Sequence, residues 1–142
     1  MGGHINTDLN RYCMWIYNGE VFTDPTGYYG FVYLIENLTN GRKYIGKKLF
    51  LFSKTKQVKG KKKKIKIESD WRDYWSSSDE LKADVEKLGA ENFRRTILHL
   101  CKNKGTCNYL EAKEQFIREV LETTEYYNGW ISCKVGRIQV KL

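Results

Sequence analysis

The chain has 142 residues, of which 41% are hydrophobic and one is proline. This composition favours a single globular domain over residues 1–142 and excludes a disordered chain. No apolar run approaches the roughly 20 residues of a membrane span and no leader resembles a secretory signal, so we expect a cytoplasmic protein with no membrane partner. The formal net charge of +8 indicates a polyanionic partner.

The first 29 residues are interpreted as an N-terminal arm. Residues 1–12 are polar and read as a poorly ordered start. Apolar residues 14–17 and 21–22 flank Asn18-Gly19, which predicts either a small hairpin or a packed loop. Residues 24–27, Asp-Pro-Thr-Gly, predict a turn.

A β-hairpin follows the arm. Residues 30–35 and 44–47 are rich in β-branched and aromatic residues, and between them lies Asn40-Gly41, a pair suited to the positive φ angles of a tight turn. Alternation places Phe31, Tyr33 and Ile35 on one face of the first strand. Tyr44 and Gly46 share a face of the second strand, so we expect Tyr33 and Tyr44 to open onto a common surface.

The positive charge is concentrated after this hairpin. Residues 41–66 contain 12 of the 25 basic residues and no acid. Residues 49–57 and 61–68 predict a second hairpin, and we treat residues 49–68 as a basic insertion that contacts nucleic-acid phosphates; a merely solvated lysine loop is the alternative. The expected phosphate contacts are Lys48, Lys54, Lys56, Lys59, Lys61, Lys62, Lys63, Lys64 and Lys66.

The second half of the chain predicts two helices around a strand. After a short helical or irregular turn at residues 70–75, a serine of Ser77-Ser78 caps a helix that Gly89 ends. Residues 93–100 predict a strand, and Asn108 is expected to cap a helix running to about Thr123. Residues 126–131 predict a turn into a final extended piece. The predicted class is α+β, a small and mainly antiparallel sheet covered by helices.

The four cysteines do not follow a common zinc-binding spacing. A site built from His99, Cys101, Cys107 and Cys133 remains an alternative. Idle reduced thiols, in a cytosolic protein, are the favoured interpretation.

The triplets Phe31-Val32-Tyr33 and Tyr44-Ile45-Gly46 resemble the paired signature of the GIY-YIG nucleases, with Phe31 where a glycine usually stands. Lys47, Glu111 and Asn128 in Tyr-Asn128-Gly extend this resemblance to the family. More specifically, the chain resembles small free-standing, homing-like GIY-YIG endonucleases of bacteriophages in three stretches: residues 43–48 with the lysine-rich run that follows, Glu68-Ser-Asp-Trp71, and Asn108-Tyr-Leu-Glu111. The resemblance implies a three-stranded, mainly antiparallel sheet flanked by helices, with the basic hairpin as an insertion. The cytoplasm would then be that of the host cell.

The resemblance also implies a metal-dependent DNA endonuclease. Tyr33 would take a proton from the attacking water and Tyr44 would orient water or phosphate. Glu111 would hold a single Mg²⁺ or Mn²⁺, and Asn128 would align phosphate or water. Because the ordinary pKa of tyrosine is near 10, Tyr33 needs a neighbouring cation, for which the family suggests Lys47.

Two further basic residues, Lys48 and Arg72, are expected near the active site for reasons other than a match to the family motif. Parity along the second strand makes Lys48 another cation on the tyrosine face. The arginine that the family carries after the second triplet is missing, and Arg72 is the expected substitute, with Lys54 or Lys66 as alternatives.

Two other functions stay open at this point. One is a non-catalytic nucleic-acid-binding module on the same fold, and the other is a structure-selective nuclease for branched DNA. The expected partner is DNA, contacted mainly through phosphates. The oligomeric state is open, since a single active site cuts one strand and a double-strand break needs a dimer or successive nicks.

Overall fold

The structure, a computed structural model, describes residues 14–142, and the predictions for the polar start and Cys13 lie outside this range. Its strands are β1 (Trp15–Tyr17), β2 (Glu20–Val21), β3 (Gly30–Asn37), β4 (Lys43–Leu49), β5 (Leu51–Val58), β6 (Lys61–Glu68) and β7 (Phe93–Cys101). Its helices are α1 (Asp79–Leu88) and α2 (Lys104–Ile117), with short 3₁₀ turns at Trp71–Asp73, Ala90–Asn92 and Arg137–Gln139.

The main sheet has the strand order β2-β1-β7-β3-β4. All of its pairings are antiparallel except that of β1 with β7. The predicted α+β class is confirmed, and β7, β3 and β4 form the expected three-stranded unit. The sheet gains two further strands because residues 15–21, assigned to the arm from sequence, pair onto β7 as the predicted small hairpin.

The predicted β3–β4 hairpin is present, and its turn is longer than a two-residue Asn-Gly loop. Tyr33 lies opposite Gly46. Gly41 has a φ of 78°, whereas the Asn40 Oδ1 accepts a hydrogen bond of 2.9 Å from the Arg42 N–H. The glycine therefore provides the positive φ, and the asparagine side chain closes the turn.

The helices cover opposite faces of this sheet. Phe31, Tyr33 and Ile35 form one buried cluster with Leu81 of α1. Val32, Leu34 and Ile45 form the other buried cluster with Cys107 and Leu110 of α2. The predicted alternation along β3 is confirmed, and it sends Tyr33 to the face covered by α1.

One helix is placed correctly from sequence and the other is not. The Ser78 Oγ caps α1 by accepting a hydrogen bond of 3.2 Å from the Leu81 N–H, and Gly89 ends the helix. The prediction that Asn108 caps α2 is wrong, because Asn103 accepts a 2.7 Å hydrogen bond from Thr106 and the helix begins at Lys104. The predicted end near Thr123 is also wrong: α2 ends at Ile117, and positive φ at Glu119 turns the chain away.

The predicted basic hairpin is a separate two-stranded sheet, β5–β6, which we call the ribbon. Its turn uses positive φ at Lys59 and Gly60. Ile65 and Ile67 are half-buried, and the other side chains of the two strands are exposed. Separately, none of the helices within residues 14–142 combines the length and apolarity that a membrane crossing requires.

Candidate active site

A cavity of about 620 Å³ opens at the β4 edge of the main sheet, between the start of α1, the face of α2 and the chain after α2. It brings together five of the six residues expected to act in catalysis. They are Tyr33, Tyr44, Lys47, Glu111 and Asn128.

The cavity reaches both faces of β4 because Gly46 has no side chain. Tyr44 points to the α1 side, where its ring stacks on Tyr33 with the centroids 6.1 Å apart. Lys47 points to the opposite side, towards α2. Between them, the space that a side chain at position 46 would fill is occupied by the phenol end of Tyr33.

Four hydroxyl groups meet on the α1 side, and we call Tyr33, Tyr44, Tyr74 and Ser77 the hydroxyl cluster. Tyr33 donates a hydrogen bond to Tyr74, which in turn bonds Ser77. The hydroxyls of Tyr44 and Ser77 are 3.1 Å apart. Because Ser77 is exposed, the cluster leads from the buried Tyr33 to solvent.

Burial is the largest influence on these tyrosines. It raises the pKa of Tyr33 well above the ordinary value, and the pKa values of Tyr44 and Tyr74 are raised for the same reason. All three phenols are therefore neutral near pH 7 in the free protein.

The two lysines after Gly46 lie on opposite sides of β4. The Lys48 Nζ is 4.0 Å from the centre of the Tyr74 ring and 2.6 Å from Asp70 Oδ1, which places it beside the hydroxyl cluster as parity predicts. The Lys47 Nζ contacts Asn108 Oδ1 on α2. Lys47 is thus positioned next to Glu111 rather than on the tyrosine face.

Glu111 is the carboxylate that faces the cavity from α2. Burial raises its pKa, while the positive charge of Lys47 acts in the opposite direction. One turn later, Gln115 lines the same cavity, and its Oε1 has no hydrogen-bond partner within residues 14–142. These oxygen atoms suit a hard divalent cation that keeps several of its waters.

Two carboxylates line this cavity, Glu111 on α2 and Asp79 at the start of α1. Within residues 14–142, no three His, Cys, Asp or Glu side chains come together. His99, a member of the zinc alternative, instead lies 2.8 Å from Glu114. The alternative zinc set of His99 with the cysteines is therefore not assembled within residues 14–142.

Asn128 has both ends of its amide engaged by the backbone of β4. Its Oδ1 accepts from the Ile45 N–H at 3.0 Å, and its Nδ2 donates to the Ile45 carbonyl at 2.8 Å. Gln115 Nε2 donates to the same carbonyl at 3.1 Å. The chain after α2 also pairs with β4 through Lys43 and Tyr127. Asn128 therefore fixes the edge strand that carries Tyr44 and Gly46.

Arg72, the sixth expected residue, lies elsewhere. It donates to the Thr23 carbonyl at 2.9 Å, pairs with Glu68 at 3.3 Å and stacks 4.3 Å from the Trp71 ring. Lys54 and Lys66, the alternatives, are exposed on the ribbon. Among residues 14–142, no arginine lines the cavity.

Sequence reasoning missed Tyr74, Ser77, Gln115 and Trp130. Gln115 carries a local signal, since it follows Glu111 by one helical turn. Tyr74 and Ser77 come from an irregular segment that long-range contacts hold in place: Trp71 packs into the core, and the Tyr74 carbonyl accepts a hydrogen bond of 2.8 Å from Arg95. Trp130 lines the cavity and is 75% exposed.

A family model described as "Putative endonuclease segE, GIY-YIG domain" matches residues 15–131, which is most of the chain. No curated protein and no solved structure matches the chain significantly. The matched range includes the main sheet, both helices and each of the cavity-lining residues named above.

Proposed function

Since the chain belongs to the GIY-YIG nuclease family, we propose that it is a DNA endonuclease that hydrolyses phosphodiester bonds with a divalent metal. The observation that carries the proposal is the meeting of Tyr33, Tyr44, Lys47 and Glu111 in one cavity. These residues place two hydroxyls, a cation and a carboxylate around Gly46, which has no side chain to separate them. Phosphodiester hydrolysis needs these groups to place water, balance charge and hold a metal.

Glu111 is proposed to hold Mg²⁺ or Mn²⁺, and Gln115 Oε1 faces the same space. When bound, the ion would polarise the phosphate and stabilise charge on its oxygens. Burial raises the pKa of Glu111, and the neighbouring ammonium of Lys47 opposes that rise. Lys47 is also proposed to replace the arginine that the family carries after the second triplet. Its ammonium would contact the phosphate as a point charge, whereas an arginine would form two parallel hydrogen bonds.

Tyr33 is proposed to receive the proton of the attacking water. Its raised pKa excludes a resting phenolate, so it acts as a neutral hydroxyl: it accepts from the water while donating to Tyr74. As the water loses its proton to Tyr33, the Tyr33 proton moves to Tyr74, and the half-buried Tyr74 releases its own proton to solvent. The ammonium of Lys48, over the Tyr74 ring, favours negative charge within the hydroxyl cluster.

Asn128 is proposed as a positioning residue. Its two hydrogen bonds to Ile45 hold β4 in register with the tyrosines and with α2. This assignment differs from direct contact with phosphate, because both ends of the amide are already bonded.

The ribbon is proposed to bind DNA phosphates. Its lysines are exposed and form no ion pair with an acid within residues 14–142. Each phosphate that a lysine neutralises releases counterions, which gives affinity without sequence preference.

The test is a nicking assay on supercoiled plasmid. With Mg²⁺ or Mn²⁺ we expect conversion to the open-circular form, and with EDTA we expect none. Binding without nicking in either metal would contradict the proposal and leave a non-catalytic DNA-binding module. Cleavage of four-way junctions in preference to plasmid would instead identify a nuclease for branched DNA.

A further inference from the structure

We propose that one face of the ribbon enters the major groove of duplex DNA and reads base sequence through Ser53, Thr55 and Gln57. This inference rests on the proposed function, because it takes DNA as the substrate. It goes beyond that proposal by assigning sequence selectivity to a surface whose lysines alone provide none.

The strand register divides the ribbon into two chemically different faces. On one face, Ser53 lies opposite Lys66, Thr55 opposite Lys64, and Gln57 opposite Lys62. We call this the polar face. Each of its three cross-strand pairs joins a side chain that can hydrogen-bond a base edge to one that can contact phosphate.

The opposite face lacks such a row. There, Lys54 lies opposite Ile65 and Lys56 opposite Lys63, while Phe52 lies opposite Ile67 near the root of the ribbon. Both faces carry lysines, so positive charge does not select between them. The neutral row on β5 distinguishes the polar face, because its side chains can both donate hydrogen bonds to base edges and accept them, whereas a lysine only donates.

The charge of the ribbon identifies a polyanion as its occupant. Residues 51–68 contain eight lysines and one acid, Glu68. Lys56 faces Lys63 directly across the two strands, an arrangement that destabilises an isolated hairpin. An anion lying along the ribbon would relieve this repulsion.

The dimensions fit the groove of a duplex. A two-stranded ribbon is accommodated by a major groove about 12 Å wide. From Ser53 to Gln57, a strand advances about 14 Å at roughly 3.4 Å per residue, which corresponds to about four base-pair steps. Gln57 can pair with adenine, whereas Ser53 and Thr55 can bond either type of base.

The ribbon is continuous with the candidate active site. A second cavity, of about 380 Å³, is lined by Phe52 at the ribbon root and by Lys47, which also lines the first cavity. Lys104 of α2 adds another positive charge there. A DNA strand crossing Lys47 therefore leads towards the ribbon, and we expect the recognised base pairs at a fixed distance from the cut.

The experiment selects bound duplexes from a randomised library, using the full chain with Glu111→Gln to prevent cleavage. In that background, the test variant is Ser53→Ala, Thr55→Val and Gln57→Met, which preserves charge. The matched control on the opposite face is Lys54→Arg, Lys56→Arg and Lys63→Arg. The parent and the control should enrich a common motif of about four adjacent base pairs. The test variant should lose at least about tenfold of the preference for that motif over random duplex, with its salt dependence unchanged.

Several outcomes would overturn the inference. They are a parent that selects no motif, a test variant that selects the parent's motif, and a parent that prefers single strands or RNA. Gln57→Glu tests the inference by a change of preferred base instead of a loss of affinity. Glutamate accepts a hydrogen bond from cytosine, whereas glutamine pairs with adenine. The substitution should change the preferred base at one end of the motif, and an unchanged preference would contradict the inference.

The same proteins separate this inference from the proposed function. If the chain without Glu111→Gln never nicks DNA but the motif depends on Gln57, the nuclease proposal fails and base reading stands. If nicking is seen without a motif, the nuclease proposal stands and base reading fails.

Discussion

The hydroxyl of Tyr33 occupies the space in which a Cβ atom at position 46 would lie, so Gly46 is required for the phenol to reach the cavity. The two residues are direct partners in the β3–β4 register. This pairing explains why the tyrosine of the first triplet and the glycine of the second belong together. A side chain on β4 at this point would separate Tyr33 from the side of the sheet that carries Lys47 and Glu111.

Gly46→Ala should therefore reduce cleavage at least tenfold, because the added methyl group displaces the Tyr33 hydroxyl. The overpacking should also lower the free energy of unfolding by about 1–3 kcal/mol. Gly129→Ala is the matched control: Gly129 lines the same cavity and has nothing within 4 Å of an added Cβ. Nicking rates and urea unfolding of both variants check the prediction, and equal activity in the two would contradict it.

Tyr33→Phe should lose far more activity than Tyr17→Phe. Phenylalanine keeps the ring packing of Tyr33 and removes only the hydroxyl that donates to Tyr74. Tyr17 packs against the same apolar cluster but does not line the cavity. The measurement is the single-turnover nicking rate of each variant, with circular dichroism to verify the fold. Similar losses in both would assign Tyr33 to the core instead of the chemistry.

Tyr33 should also contribute to alkaline unfolding. Because burial raises its pKa, the unfolded chain releases this proton at lower pH than the folded protein does. The free energy of unfolding therefore falls as the pH rises past about 10. Tyr33→Phe should flatten this decline by up to about 1.4 kcal/mol per pH unit, one proton's share. Urea unfolding between pH 8 and pH 11 measures the slope, and identical slopes in the two proteins would refute the burial argument.

Local signals predicted much of the fold. Alternating residues set the two faces of β3, and Ser78 and Gly89 marked the ends of α1, because these features depend on neighbouring residues alone. The start of α2 failed for a specific reason: Asn103 and Asn108 are both suitable caps, and the choice depends on how α2 packs against the sheet.

The sequence predicts those residues of the candidate site that belong to the two family triplets, together with Glu111. Tyr74 and Ser77 were missed because their segment is irregular, and Trp71 anchors it in the core through long-range packing. Arg72 is the nearest arginine after the second triplet in sequence, yet its contacts with Thr23 and Glu68 hold it away from the cavity. Sequence distance does not determine spatial distance once a segment of 20 residues such as the ribbon region is inserted.

Replacing Lys61, Lys62, Lys63 and Lys64 with glutamine should weaken binding to all duplexes together. Each lost phosphate contact removes about 0.9 from the log–log salt slope, so we expect the slope to flatten by roughly 2 to 4. Titrations at several salt concentrations, on two unrelated duplexes, measure it. Single-turnover cleavage at saturating protein should survive, because the cavity is untouched.

Two results would contradict this prediction. An unchanged salt slope would show that these lysines are merely solvated. A collapse of cleavage at saturating protein would place one of them in the active site.

Glu111→Gln and Glu114→Gln should differ sharply in DNA cleavage. Both substitutions lie on α2 and remove one negative charge, but Glu114 contacts His99 and Arg118 and does not line the cavity. We expect Glu111→Gln to bind DNA as the unmodified chain does and to nick plasmid at less than a few per cent of its rate in Mg²⁺, while Glu114→Gln keeps most of its activity. Nicking by Glu111→Gln at a rate close to that of Glu114→Gln would contradict the assignment of the metal to Glu111.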